Sequence, residues 1–261
     1  MENFVIRVHN LRKSYRDNNV LKGIDMSIAP GEVIGYLGSN GAGKSTTVKI
    51  LCGILGQYEG EVNILGHDLR TESLEIKRRI GYIPENAVMY EHLTPLEYLE
   101  FIASLYGLSP EVSHQKIHSL LQLFEMGLQA RKRMNGFSKG MKQKIHIISA
   151  LLHNPDILFM DEPLNGLDAN SVIIVKEMVT GLAREGKTIF YCSHLMDVVE
   201  KISSRILLIN DGRIVADGTT TELKQQSGSD SLESLFAKLT GATDHTAKAE
   251  QIINTFEKEN L

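Results

Sequence analysis

The residues best equipped for chemistry lie in GSNGAGKST, Gly38 to Thr46, which satisfies G-x-x-x-x-G-K-[ST] between the strand-like EVIGYL and the helix-like STTVKILC. Gly38, Gly41 and Gly43 allow the backbone to turn its N–H groups toward one concave point. Ser39, Asn40, Ala42 and Thr46 complete the loop. The helix opening at its end adds a positive dipole end, so the segment reads as an anion cradle. Lys44 is expected to reach β- and γ-phosphates, and the Ser45 hydroxyl to supply a ligand to Mg²⁺. The bland alternative is a glycine-rich structural turn, and the loop by itself does not specify a reaction.

A second cluster follows in ILFMDEP, residues 157–163, an apolar run that delivers two carboxylates at a strand's C-terminal end, the side where open α/β sheets bind ligands. Asp161 suits the metal, and Glu162 points one residue further, toward an attacking water, as general base. Alone, the pair reads equally as a solvated turn before Pro163. Beside the phosphate loop, that reading loses. Ser193-His194 closes another apolar run, TIFYC, and a histidine there is placed to hydrogen-bond a γ-phosphate and the attacking water, although a lone histidine is more often a surface residue. The other eight of the nine histidines show no metal-ligand pairing, which disfavours a zinc site.

These groups need a scaffold, and the pattern supplies one. Residues 4–8, 32–37, 61–65 and 80–83 are short apolar or alternating runs punctuated by Gly, Pro and Asp, as strands are. At Thr94, TPLE combines a cap, proline at the first helical position and glutamate at the third, which predicts a helix start. From there to about Leu152 apolar residues recur at helical spacing, with breaks near residues 107–110 and 135–138. Residues 157–160, 188–192 and 205–210 then alternate with helix-like stretches at 170–184 and 195–202, the pattern of parallel strands buried on both faces. After Gly218 the chain turns polar, with short helices expected over 232–239 and 246–258.

Composition narrows the class. With 261 residues, 42% hydrophobic and 23% charged, the chain is an ordinary globular protein that needs no disulfides. A net charge of −4 gives no general pull toward nucleic acid or anionic lipid. Cys52 and Cys192 each sit in an apolar stretch and read as buried thiols in a reducing compartment. MENFVIRVHN has no signal-peptide pattern, and nowhere do 18 apolar residues run together, so any membrane role is expected to be peripheral.

Further segments carry a family resemblance. FSKGMKQ (137–143), NGLD (165–168), IGYIPEN (80–86) and Tyr15 in LRKSYRDNNVLKGI, taken with the two clusters above and His194, resemble the motifs of the ATP-binding cassette family, in family order, from roughly Phe4 to Gly241. The resemblance implies an α/β P-loop NTPase core with a mainly parallel sheet, an N-terminal antiparallel β-subdomain and a helical insert. Residues 1–240 would form one nucleotide-binding domain, with 1–85 and 153–217 as core and β-subdomain and 86–152 as helical subdomain, followed by a helical tail over 241–261. It implies ATP and Mg²⁺ as cofactors, with Tyr15 stacked on adenine and Ser45, Asp161 and Glu85 at the metal. Ser138, Lys139, Gly140 and Met141 would contact ATP held by the opposite subunit, Asp168 would lie at the subunit contact, and His194 would be the switch histidine.

The function so implied is ATP hydrolysis by a homodimer or closely related heterodimer at the inner face of the cell membrane. That dimer would drive a separate transmembrane permease subunit, and nucleic acid is not expected as a partner. Three departures stand out. Glu85 replaces a common glutamine and adds a carboxylate near the metal. Lys139 and Met141 replace the glycine and glutamine of the usual LSGGQ, and Leu164 replaces a hydroxyl residue. Glu85 and the KGM signature are similar to the subgroup serving exporters. The competing class, soluble relatives that act on nucleic acid or ribosomes, usually carries two cassettes or a long coiled coil. Here only 94 residues separate Lys44 from Ser138.

Overall fold

The computed structural model describes residues 4–86, 89–228, 231–240 and 255. The expected tail over 241–261, with its helix over 246–258, lies outside the described residues except for Thr255. In chain order the strands are β1 (Ile6–Tyr15), β2 (Asn18–Ile28), β3 (Val33–Gly38), β4 (Glu59–Ile64), β5 (His67–Asp68), β6 (Ile80–Ile83), β7 (Ile157–Asp161), β8 (Thr188–Ser193), β9 (Arg205–Asn210) and β10 (Arg213–Gly218). The helices are α1 (Lys44–Leu51), α2 (Ser73–Arg79), α3 (Pro95–Leu105), α4 (Pro110–Leu123), α5 (Lys139–Leu151), α6 (Ala169–Arg184), α7 (Met196–Ile202), α8 (Thr220–Ser227) and α9 (Leu232–Thr240).

Two sheets result. An antiparallel one has the order β2-β1-β4-β5, and a larger one runs β10-β9-β3-β8-β7-β6. All neighbours in the larger sheet are parallel except the β9–β10 hairpin. The α/β class with a mainly parallel sheet and an antiparallel N-terminal sheet is therefore as expected. The antiparallel sheet is longer than the sequence suggests: the first strand continues to Tyr15, and β2 has no counterpart in the pattern. The reason is local. Asn10 takes a left-handed φ of 48°, and the β1–β2 pairing slips register at three places, so the two-residue alternation breaks where the strands continue.

Inner strands of the large sheet are apolar on both sides because both sides are covered. Ile34, Tyr36, Phe159, Phe190 and Cys192 face the antiparallel sheet and α1, whereas Leu37, Leu158, Met160, Ile189 and Tyr191 join the core shared with the helical segment. Thr94 caps α3 through the full capping box predicted from TPLE. Cys52 and Cys192 are buried free thiols, and burial pushes both well above the ordinary thiol range. Among the described residues no helix is long and apolar enough to cross a membrane.

Phe190 lies at the centre of the first core, fully buried, with ring centroids 5.1 Å from Tyr36 and 5.7 Å from Phe159. Phe190→Ala should destabilise the fold by about 3–5 kcal/mol through lost transfer energy and a residual cavity. Thermal unfolding should register this as a midpoint lowered by roughly 6–20 °C. An unchanged midpoint would show that this core does not limit stability.

Candidate functional site

β3 ends at Gly38 and α1 begins at Lys44, so the loop between them crosses the C-terminal edge of the parallel strands. Gly43 caps α1 with φ 111°, and a Cβ there would stand 2.6 Å from Leu21 Cδ2, so glycine alone fits the turn. Lys44 is only 7% exposed. Its ammonium folds over its own loop and donates to the Gly38 carbonyl at 2.7 Å and the Ser39 carbonyl at 3.2 Å. An ammonium has three N–H donors, so one remains for an anion in the cradle. No acidic residue occupies the first turn of α1, which leaves its positive end uncompensated.

Parallel pairing of β7 with β8 aligns Asp161 with Cys192 and thereby sets Glu162 beside Ser193 and His194. Glu162 N–H donates to the Cys192 carbonyl at 2.9 Å, and the residue takes a left-handed φ of 47° while buried. A non-glycine residue holds such a conformation only where its surroundings over-determine it. Those surroundings are visible. Ser193 Oγ donates to Glu162 Oε2 at 3.0 Å, its own acceptor side being taken by Leu195 N–H, and His194 Nδ1 lies 2.8 Å from Glu162 Oε1. With an ionised glutamate as partner, Nδ1 carries the proton and donates.

Asp161 sits one residue earlier and is buried. Burial pushes its carboxyl above the ordinary range, a hydrogen bond from Ser45 opposes this, and the Glu85 and Glu162 charges add to the rise. Its Oδ1 has no hydrogen-bond partner. An orphaned carboxylate oxygen, the Ser45 hydroxyl and the nearby Glu85 are hard oxygen donors that fit Mg²⁺, whose shell phosphate oxygens and water would complete. Among the described residues no three His, Cys, Asp or Glu side chains form a self-sufficient cage, which suits a cation shared with a substrate.

One cavity of 480 Å³ gathers Asn40, Gly41, Gly43, Lys44, Ser45, Thr46, Glu85, Glu162 and His194. Asn18 and Val20 of β2 complete its wall. Sequence reasoning missed both, because β2 is not legible as a strand. Tyr15 lies outside this lining, at the end of β1, 44% exposed and with the Lys13 ammonium 4.8 Å above its ring.

Ser138, Lys139, Gly140, Met141 and Asp168 are also absent from the lining. They form a second unit, in which Ser138, Lys139 and Asp168 are exposed and Gly140 and Met141 half-buried. Exposed Ser138 accepts from Met141 N–H at 3.2 Å and caps α5. A Cβ on Gly140 would stand 2.2 Å from the Gly166 carbonyl oxygen, so two backbones touch there and no side chain is admitted. Gln143 Nε2 donates to the Pro163 carbonyl at 3.1 Å, and Lys144 Nζ lies 3.1 Å from Asp168 Oδ2. Asp168 caps α6 by accepting from Ser171 N–H at 2.9 Å and Ser171 Oγ–H at 2.7 Å; these bonds, with Lys144, hold its carboxyl far below the ordinary range. Leu164 packs into the core beneath this unit, which accounts for an apolar residue at that position.

Comparison with known proteins gives one picture. Residues 21–165 match the family model described as ABC transporter. The linearmycin resistance ATP-binding protein LnrL of Bacillus subtilis (strain 168) is 35% identical over 228 residues, covering 87% of this chain and 73% of that one. A solved ATP-binding subunit of an ABC transporter superposes with a TM-score of 0.85 at 33% identity, covering 90% of this chain and 99% of the other. A dimeric ATP-binding cassette in a post-hydrolysis state, bound to ADP and Pi, superposes with a TM-score of 0.76 at 26% identity, covering 82% and 98%.

Proposed function

This chain belongs to the ABC transporter family as an ATP-hydrolysing, nucleotide-binding subunit, and from that premise we propose that two copies pair head to tail around two ATP molecules. Each phosphate loop faces the partner's signature segment. The single observation that carries this reading is the separation of the two units within one chain: the cavity holds the phosphate loop, Glu85, Glu162 and His194, while Ser138 to Met141 lie outside it at the start of α5, with Ser138 and Lys139 exposed. A second copy supplies the missing wall, with α5 directing its positive end at the neighbour's γ-phosphate.

In this reading Glu162 is the general base. Ser193 and His194 orient its two oxygens, which fixes the carboxylate toward the attacking water. Lys44, with one donor uncommitted, stabilises charge developing on the transferred phosphoryl group, and His194 assists at the cavity's mouth. Ser45, Asp161 and Glu85 would hold Mg²⁺, which would supply positive charge to offset that of the phosphates. Tyr15 supports the adenine from the rim. Asp168, pinned by Lys144 and Ser171, sits at the seam between copies.

Residues 1–240 act in this scheme as one nucleotide-binding domain, with 86–152 as the subdomain that transmits closure. Its exposed Tyr90, Phe101 and Leu105 supply apolar surface suited to a membrane-spanning partner at the inner face of the cell membrane. Export is the favoured direction, on the Glu85 and KGM features and on the resistance role in the name of the B. subtilis relative. The test is the specific ATPase rate measured against protein concentration, with mass followed by light scattering. The rate per chain should rise with the dimer fraction, and an undiminished rate from strictly monomeric material would overturn the pairing. Recovery of a multi-spanning membrane protein with the chain supports the transport assignment; recovery of RNA or DNA in its place refutes it.

A further inference from the structure

Outside the nucleotide cavity, one pair of side chains has a geometry that neither packing nor hydrolysis uses. His114 and His118 lie four residues apart on α4, so they stand one above the other on the same helix face. Their Nε2 atoms are 3.2 Å apart, and their ring centroids 4.4 Å apart at an interplanar angle of 59°. The pair is solvent-facing, whereas Ser113, Ile117 and Leu121 form the buried stripe of the helix. The spacing H-x-x-x-H was present in the sequence, but it pairs the two rings only once residues 110–123 are known to be helical.

We propose that His114 and His118 form a two-histidine chelate for a first-row divalent cation of the Zn²⁺ or Cu²⁺ type. The separation is the argument. A cation bonded to both Nε2 atoms at the usual Zn–N length of about 2.0–2.1 Å would subtend an N–metal–N angle of roughly 100–105°, close to the tetrahedral value. Two rings on consecutive helix turns are pre-ordered by the backbone, so little freedom is lost when both bind. His114 also lines a crevice between α3 and α4 whose other wall carries Glu100, an acidic group that favours a cation there. Imidazole selects borderline metals over Mg²⁺, so the site is chemically separate from the oxygen donors around the phosphate loop. Among the described residues no third His, Cys, Asp or Glu completes a cluster, so water would fill the rest of the shell and binding should be weaker than at a four-ligand site.

The test is calorimetric titration of ZnCl₂ into the full chain, free of nucleotide and in excess Mg²⁺, with histidine side-chain resonances followed in parallel. His194 beside Glu162 offers a second place for zinc, so the reference protein carries His194→Ala. On that background one equivalent should bind, shifting the His114 and His118 resonances together. His114→Ala and His118→Ala should each weaken binding at least tenfold, because each removes one arm of a two-point chelate. His92→Ala, which removes an unpaired histidine, should leave binding unchanged. Equal affinity in the His114→Ala protein, or resonances of other histidines shifting first, would overturn the assignment. The ATPase rate of the His114→Ala protein, made without the reference substitution, should match that of the unsubstituted chain when no zinc is present, which separates this site from the nucleotide reading.

Discussion

Glu162→Gln should bind ATP and dimerise on it, yet turn over roughly 10²–10⁴ times more slowly, the span expected for removal of a positioned general base. The substitution keeps size and shape, and the amide oxygen can still accept from Ser193 Oγ, 3.0 Å from the native carboxylate. What it loses is the ability to take a proton from water. It also changes the partner of His194 Nδ1, since an amide nitrogen at the Oε1 position would oppose a donating ring nitrogen. Because the left-handed backbone at residue 162 is held by the Cys192 carbonyl contact and by burial, the loop should not collapse. Single-turnover phosphate release, read beside nucleotide affinity, separates the two effects. Brisk release at unchanged affinity would remove Glu162 as the base.

Lys44→Ala should fail one step earlier. The ammonium is buried against the Gly38 and Ser39 carbonyls, at 2.7 and 3.2 Å; its deletion takes that donor from both oxygens, leaving Ser39 with only the Ala42 N–H at 3.2 Å, and removes the cation expected to face the phosphates. Hydrogen bonds to charged groups contribute about 1.5–3 kcal/mol each, so the loss of the one uncommitted donor predicts nucleotide binding weakened roughly tenfold to 150-fold. Turnover at saturating ATP should fall as well, by about a hundredfold, since the lysine also opposes charge developing in the transition state. Titration with a fluorescent ATP analogue measures the first effect and steady-state hydrolysis the second. Affinity within twofold of the unsubstituted chain would mean that the backbone N–H groups alone hold the triphosphate.

The contrast between these residues and those that sequence reasoning missed is physical. Lys44 and Ser45 open α1 directly after one short loop, and Asp161 and Glu162 lie at the end of one apolar strand, so local pattern and local chemistry coincide. The inner strands β3, β7 and β8 were legible for the same reason: covered on both faces, they are continuous apolar runs. Asn18 and Val20 reach the same cavity from β2, whose polar and apolar residues lose their alternation at register slips against β1. No local signal marks them. The β10 edge strand, RIVADG, alternates exposed with half-buried positions, contributes little to the core, and passes as a polar loop. Ser193 was visible as a neighbour of His194, but its hydrogen bond to Glu162 exists only because β7 and β8 are adjacent in the sheet.

The backbone contact between Gly140 and Gly166 bears on kinetics. It welds the start of α5 to the segment that leaves Glu162, and Gln143 and Lys144 fasten the same seam at the Pro163 carbonyl and at Asp168. In the proposed head-to-tail pair, the far end of that weld would meet the neighbour's triphosphate. A shift at one γ-phosphate would then be registered across the seam, coupling the two catalytic centres. The expected signature is a sigmoidal dependence of velocity on ATP.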